Sequence, residues 1–248
     1  MCRFGRVELR RARDRAVQAI RDPDRLRPDA SSRIRTVVEK AGLVVTGLHW
    51  LLAKPAGPSL RTRTVALMIR RIELGAALGG NVLVHGSPKQ RQIAPGEAHA
   101  TARSRLVDAL APVAARAGVV DCIEPLSGHE TALANTVAEA AAIVREIAHP
   151  HLRTMIDYGA AALTETEPVP ALLDRWLPTG LVAQLEINDP NRRAPGQGAL
   201  LFAPVAAALA WHDYTGTVAV EPFDYVPDGA GAAAFAAGYW RGVRETLA

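Results

Sequence analysis

Apolar and polar positions along this chain form a repeating pattern. Six short apolar runs each end on a histidine, an aspartate or a glutamate, and successive endings are separated by 36, 39, 33, 29 and 35 positions. A period in this range is typical of one supersecondary unit that is used repeatedly. The six endings are His49, His85, Glu124, Asp157, Glu186 and Glu221.

The segments between these runs have the length of helices. A short buried strand followed by a helix is the βα unit of a parallel sheet, and glycines at 79–80, 118 and 216 stand where helices should end. We therefore predict the α/β fold of a (β/α)8 TIM barrel. The predicted helices are 31–41, 59–78, 96–117, 129–148, 169–177, 199–212 and 230–247.

The beginning of the chain departs from this pattern. Six strands follow from residue 43 onward, residues 5–9 offer a seventh, and the pattern contains no eighth. A barrel of this type usually has about 250 residues, and this chain has 248. We expect one TIM-barrel domain over residues 1–248, with an atypical Arg-rich start at 1–35 and a first βα unit that is lacking or altered.

Composition narrows the cellular setting. The chain is 49% hydrophobic and 22% charged, which is ordinary for a globular protein. No apolar run approaches the ~18 residues that span a bilayer, and the start has no apolar region of a signal peptide. Two cysteines do not indicate a disulfide framework. We predict a cytoplasmic protein without membrane contact.

Charge is concentrated at the start of the chain. Residues 1–35 hold eleven arginines and five acids, whereas the net charge of the whole chain is +4. A basic arm is one feature of nucleic-acid-binding proteins. However, the arginine excess runs through the whole chain, and no aromatic residues are interleaved to stack bases. A solvated Arg-rich helix is favoured, and nucleic acid is not expected as a partner.

The strand endings predict a metal site. The carboxyl ends of parallel strands meet on the face of a barrel that carries its chemistry. Four carboxylates in one cavity repel each other, and a divalent cation holds them together. An oxygen-rich set suits Mn²⁺, Mg²⁺ or Co²⁺ better than a structural zinc. The alternative is that each acid pairs with an arginine. The predicted ligands are Glu124, Asp157, Glu186 and Glu221.

The loops after two strands predict substrate contacts. Residues 86–91 and 188–198 are rich in polar and positive groups, as are loops that bind polyhydroxy or anionic substrates. Lys89, Arg91 and Arg192 are predicted to donate to substrate oxygens. His49 and His85 are predicted to line the pocket, the alternative for each being a structural histidine.

Three motifs carry a resemblance to a known family. They are Ile123-Glu124-Pro125-Leu126 with Glu130-Thr131 after it, the loop 188–198 that reads NDPNRRAPGQG, and Val220-Glu221-Pro222. With these motifs, residues 40–248 resemble the xylose-isomerase-like TIM-barrel superfamily. The resemblance is strongest to sugar phosphate isomerases and epimerases of the ketose 3-epimerase group.

This resemblance implies an activity. The family binds one divalent metal, most often Mn²⁺, and isomerises or epimerises a small sugar or sugar phosphate through an enediolate. It implies that Glu124 and Glu221 transfer the proton and that both belong to the metal set with Asp157 and Glu186. It also implies that Glu130 and Arg192 contact the substrate.

Two residues depart from the family pattern. Glu186 stands where the family has a metal-binding histidine, and Ala160 stands where it has a substrate-binding histidine. Three alternatives therefore stay open: a dehydratase or hydroxypyruvate-type isomerase, a catalytically impaired barrel that acts as a binding protein, and a nuclease of the endonuclease IV type, which would need more histidines. An open barrel edge also favours a homodimer or higher homo-oligomer.

Overall fold

A computed structural model of the chain describes residues 29–50, 61–116 and 119–247. Within these ranges, six parallel strands form one sheet, in which each strand pairs with the next along the chain. The elements are α1 (Ala30–Lys40), β1 (Gly47–Trp50), α2 (Arg61–Ala77), β2 (Val82–His85), α3 (His99–Arg116), β3 (Val120–Ile123), α4 (Val137–Ile147), β4 (Leu152–Asp157), α5 (Tyr158–Thr164), α6 (Val169–Trp176), β5 (Val182–Glu186), α7 (Ala203–Trp211), β6 (Thr217–Ala219) and α8 (Gly229–Glu245).

The strand order and the intervening helices confirm the predicted α/β TIM-barrel architecture. The described strands make a curled half-barrel. The predicted strand at residues 5–9, and most of the Arg-rich start, lie outside the described residues. Within the described ranges, no helix is long and apolar enough to cross a membrane.

The two faces of the sheet bury different clusters. Val84, Cys122 and Met155 pack together on one face, which we call the concave face. Successive side chains of a strand point to opposite faces, so Ile123 and Leu185 lie on the other face and join the clusters that pack against the helices. We call this second face the helix-facing side.

A β-bulge in β5 changes which residues reach the concave face. Thr154 pairs with Val182, but Met155 pairs with Gln184, so Ala183 is an extra residue in the ladder. Bulges re-aim side chains and are frequent next to active sites. Here, the bulge leaves Val182 among the helix-facing residues, while Gln184 follows Met155 onto the concave face.

Two helix boundaries differ from the prediction. Helix α4 begins at Val137 rather than at residue 129, because the Thr136 hydroxyl accepts the N–H of Glu139 and caps the helix there. Helix α5 was not predicted. It follows β4 without a loop, and Asp157 is both the last residue of the strand and the N-cap of the helix.

Candidate functional site

Four side chains from separate strands converge on the concave face. His49 lies in β1 and Glu186 ends β5, whereas Glu124 and Glu221 follow closely after β3 and β6. Each offers one ligand atom, and these atoms all lie within 4.8 Å of one another. We call these residues the four-residue cluster.

The imidazole of His49 lies between three carboxylates. Its Nε2 is 3.1 Å from Oε2 of Glu124, and its Nδ1 is 2.9 Å from Oε2 of Glu221 and 3.5 Å from Oε1 of Glu186. These are ion-pair distances, but the angles are not those of hydrogen bonds. Both ring nitrogens and the Oε2 atoms of all three glutamates are buried without a hydrogen-bond partner among the described residues. Buried polar atoms in proteins usually have one, so this cluster fits a further ligand.

Electrostatics favours a cation as that ligand. Burial lowers the pKa of His49, but the charges of Glu124 and Glu186 outweigh burial and raise that pKa well above 6.5. Burial raises the pKa of Glu186 to about 7, and His49 opposes this rise. One imidazolium therefore balances only part of the negative charge of three glutamates. Three carboxylates and one imidazole suit a divalent ion such as Mn²⁺.

Asp157, which was predicted to be a ligand, faces the cluster but is not one of its four members. Its Oδ1 accepts the N–H of Ala160 at 3.0 Å, which caps α5. Burial, followed by the charges of Glu124 and Glu186, raises its pKa well above the usual 3.8. The structure therefore commits one oxygen of Asp157 to the helix, while His49, predicted only to line the pocket, lies at the centre of the cluster.

His85 was predicted to line the pocket, but it lies on the other side of the sheet. Val82 and Val84 belong to the concave cluster, so alternation along β2 turns the His85 side chain to the helix-facing side. Burial, together with the neighbouring charge of Arg91, lowers the pKa of His85 to about 3. His85 is thus a buried neutral imidazole behind the sheet rather than a residue that lines the pocket.

The loop after β2 is also used differently from the prediction. The guanidinium of the fully buried Arg91 donates to the carbonyl oxygens of His85 and Glu124. These bonds hold the ends of β2 and β3 together, so Arg91 has a structural role instead of the predicted substrate contact. Lys89 is exposed in a short 3-10 turn, Pro88–Gln90.

Glu130 is held in the loop that follows β3. Its exposed carboxylate accepts the Ser127 hydroxyl at 3.0 Å, and its carbonyl accepts the side-chain amide of Gln92 at 2.7 Å. The first bond uses one of the two carboxylate oxygens. The substrate contact of Glu130 stays a prediction.

Arg192 lies in the loop between β5 and α7. Its backbone has a φ of 69°, and its carbonyl accepts the N–H groups of Phe223 and Asp224 at 2.8 Å. The guanidinium carbon lies 4.2 Å from the centroid of the Phe223 ring, a cation–π contact. The loop thus presents an oriented cation on a fixed backbone.

Sequence reasoning missed two residues of this site. Gln184 donates its amide N–H to Oε1 of Glu186 at 2.9 Å. A Cβ added to Gly86 would collide with the Glu124 carboxylate and the His49 ring. The alternation of side chains could have pointed to Gln184, two residues before Glu186, but nothing in the sequence signals the close approach at Gly86.

A family model described as a xylose isomerase-like TIM barrel matches residues 7–241. The chain belongs to this family, which confirms the resemblance inferred from the motifs. The D-psicose 3-epimerase of Ruminiclostridium cellulolyticum is 31% identical over 114 residues, which are 46% of this chain and 38% of that protein. The 3-dehydro-D-guloside 4-epimerase of Escherichia coli is 31% identical over 112 residues, which are 45% of this chain and 42% of that protein.

These matches each span less than half of the relative's length. A solved structure of L-ribulose 3-epimerase superimposes with a TM-score of 0.78 and 19% identity, and covers 99% of this chain and 95% of that chain. At this identity, the superposition shows the shared fold. Both of these curated relatives are named as sugar epimerases.

Proposed function

We propose that this protein is a divalent-metal-dependent isomerase or epimerase of a small sugar or sugar phosphate. The observation that carries the proposal is the convergence of His49, Glu124, Glu186 and Glu221 with buried oxygens that lack a hydrogen-bond partner among the described residues. The sugar epimerases among its relatives support the same class of reaction.

The four-residue cluster would hold the cation, and Asp157 would face it from β4. Mn²⁺ is the metal we expect, with Mg²⁺ or Co²⁺ as substitutes, because most of the donors are carboxylate oxygens. When bound, the cation supplies electrostatic stabilisation for negative charge that develops on neighbouring substrate oxygens. The imidazole that the family has at the position of Glu186 would come instead from His49, on a different strand.

Glu124 and Glu221 would move the proton. The two carboxylates approach different nitrogens of the His49 ring, at 3.1 and 2.9 Å, and so reach the pocket from different sides. One glutamate removes the proton from the carbon next to the substrate carbonyl, and the other returns a proton to the opposite face of that carbon. Both roles need carboxylates that change protonation state during turnover.

Glu130 and Arg192 would bind the substrate away from the reacting carbon. Glu130 accepts from a sugar hydroxyl, and Arg192 donates to a hydroxyl or to a phosphate. Lys89 is exposed in a short turn and His85 lies on the helix-facing side of β2, and neither has a role in the proposed reaction.

The test is proton exchange measured by NMR in deuterated water, with Mn²⁺ and a panel of ketoses and their phosphates. We expect deuterium at the carbon next to the carbonyl. Glu124→Gln and Glu221→Gln should each lower turnover by about 10²- to 10⁴-fold. The control is Glu167→Gln, because Glu167 pairs with Arg175 away from the cluster and should leave turnover unchanged.

Each other outcome contradicts part of the proposal. Unchanged turnover in both glutamine variants would remove the proton-transfer roles. Loss of water from the substrate without reversible exchange would indicate a dehydratase. Tight binding of Mn²⁺ without turnover of any sugar would indicate a binding protein on the same scaffold.

A further inference from the structure

We infer that Gln184 is a positioning residue for the metal site, which holds Glu186 so that its Oε2 faces the cation. This inference rests on the proposed metal site and adds a residue to it. Neither the family motifs nor the four-residue cluster includes Gln184.

The contact itself has a defined direction. Gln184 and Glu186 are 5% and 2% exposed, and Nε2 of Gln184 lies 2.9 Å from Oε1 of Glu186. An ionised carboxylate only accepts hydrogen bonds, so the amide must donate. Oε1 is thereby occupied, whereas Oε2 has no hydrogen-bond partner among the described residues. The two oxygens of Glu186 therefore differ: Oε1 is held by Gln184, and Oε2 remains for a ligand.

The bulge at Ala183 places this contact on the concave face. Residues i and i+2 of a strand share a face, and the shift in pairing puts Gln184 opposite Met155, which is fully buried on the concave face. Its neighbour in register on the other side is Thr217. An amide in such a layer costs desolvation unless it is hydrogen-bonded. The bond to Glu186 offsets that cost.

The contact also has a consequence for the neighbouring imidazole. Oε1 of Glu186 lies 3.5 Å from Nδ1 of His49, and a carboxylate that was free to rotate could close on that nitrogen. The hydrogen bond from Gln184 restrains Oε1. Hydrogen-bond partners of metal ligands typically change metal affinity by about 10- to 100-fold when they are removed, which is the size of effect that this geometry predicts.

The test is the affinity for Mn²⁺ alone, measured by the loss of the EPR signal of free Mn²⁺ during titration. Gln184→Met keeps the length of the side chain and removes the donor. We expect it to weaken Mn²⁺ binding by about 10- to 100-fold, while the chelator-treated protein still shows a cooperative melting transition. Thr217→Val, a change in the neighbouring position on β6, is the control and should leave the affinity within about twofold of wild type.

A double-mutant cycle separates positioning from simple packing. In the Glu186→Gln background, Gln184→Met should cause no further loss of affinity, because the acceptor that it orients has gone. An equal loss in both backgrounds would overturn the inference and leave Gln184 with a structural role only.

The same titration distinguishes the two proposals. If wild-type protein binds Mn²⁺ and Gln184→Met binds it equally well, the inference is wrong and the metal site stands. If wild-type protein binds no divalent metal, the proposed metal site fails, and the role of Gln184 fails with it.

Discussion

Two buried polar groups lie on opposite sides of the same strand ends, and they are built differently. On the concave face, His49 meets three glutamates, and five buried atoms of this cluster lack a hydrogen-bond partner among the described residues. On the helix-facing side, Arg91 lies with His85 and Asp121, where five further buried atoms lack such a partner among the described residues, but the Arg91 guanidinium donates to the carbonyls of His85 and Glu124. We call this second set the Arg91 group.

The difference lies in where the positive charge comes from. The Arg91 group contains a fixed cation, and this charge opposes the rise that burial causes in the pKa of Asp121, to about 7. The four-residue cluster has only an imidazole to set against its carboxylates, and so it fits a cation from solution. Glu124 contacts both groups. Its backbone carbonyl accepts a hydrogen bond from Arg91, and its carboxylate faces His49 in the cluster. A buried group that contains its own counter-charge stabilises the fold, whereas a buried group with excess negative charge can bind a cation.

The largest effect should come from removing the internal cation. Arg91→Met leaves the two carbonyls without their donor and removes the positive charge that lowers the pKa of Asp121. We expect the free energy of unfolding, measured by urea denaturation, to fall by about 3–5 kcal/mol. Arg193→Met removes an exposed pair with Asp224 and should cost less than about 1 kcal/mol. Equal losses in the two variants would contradict the structural role of Arg91.

The cluster should instead be stabilised from outside. Mn²⁺ at about 100 times its dissociation constant should raise the free energy of unfolding by about 2.7 kcal/mol, because it binds the folded chain. A chelator should reverse the gain. Urea denaturation with and without Mn²⁺ measures both, and a folded protein with the same stability in either condition would contradict the metal site.

A smaller effect should follow when the space beside the cluster is filled. Gly86→Ala adds a Cβ that collides with the Glu124 carboxylate, and we expect about 10- to 100-fold weaker Mn²⁺ binding. Gly128→Ala is the matched control, because a Cβ there meets nothing within 4 Å. Isothermal titration of both variants gives the comparison, and equal affinities would show that Glu124 does not need its present position.

The smallest effect near neutral pH should come from His85. Its folded pKa of about 3 lies below the usual 6.5, so the folded state keeps it neutral, and this stability is present above pH 6.5 and is lost as pH falls toward 3. His85→Gln should therefore lose less stability than wild type on acidification. The pH dependence that comes from Glu186 has the opposite direction, since its pKa is raised to about 7. Chelator-treated wild type should lose stability as pH rises from about 4.5 to 7, and Glu186→Gln should lose less, because only the raised pKa of Asp157 remains.

Urea denaturation of wild type and of the two variants, from about pH 3 to about pH 7, measures how the free energy of unfolding changes with pH and so tests both predictions. His129→Gln, at an exposed position, serves as the control and should follow wild type. Parallel curves for wild type and His85→Gln would mean that His85 is not buried as a neutral group.

Much of the cluster could be predicted because side chains alternate along a strand. The period located the strand ends, and alternation put Glu124, Glu186 and Glu221 on one face. The same rule, counted from Val82 and Val84, would have turned His85 away from the pocket, but its place at the end of an apolar run suggested otherwise.

The remaining features depend on geometry that the sequence does not encode locally. His49 meets Glu221 only because the sheet curls until its first and last described strands approach each other, and no local pattern measures that closure. Helix α5 is short and begins on a strand residue, so the capping role of Asp157 was hidden. The shift at Ala183 is a property of strand pairing rather than of any residue type.

The junction at Asp157 makes α5 a built-in reporter on the site. The carboxylate that faces the cluster also holds the amide proton of Ala160, and a seven-residue helix has few other bonds to keep it closed. Local opening of such a segment governs how fast its amide protons exchange with solvent. A cation that binds the Asp157 carboxylate would therefore change the exchange rate of the Ala160 amide proton. The hydrogen-exchange rate of this one amide would then report whether the site is occupied.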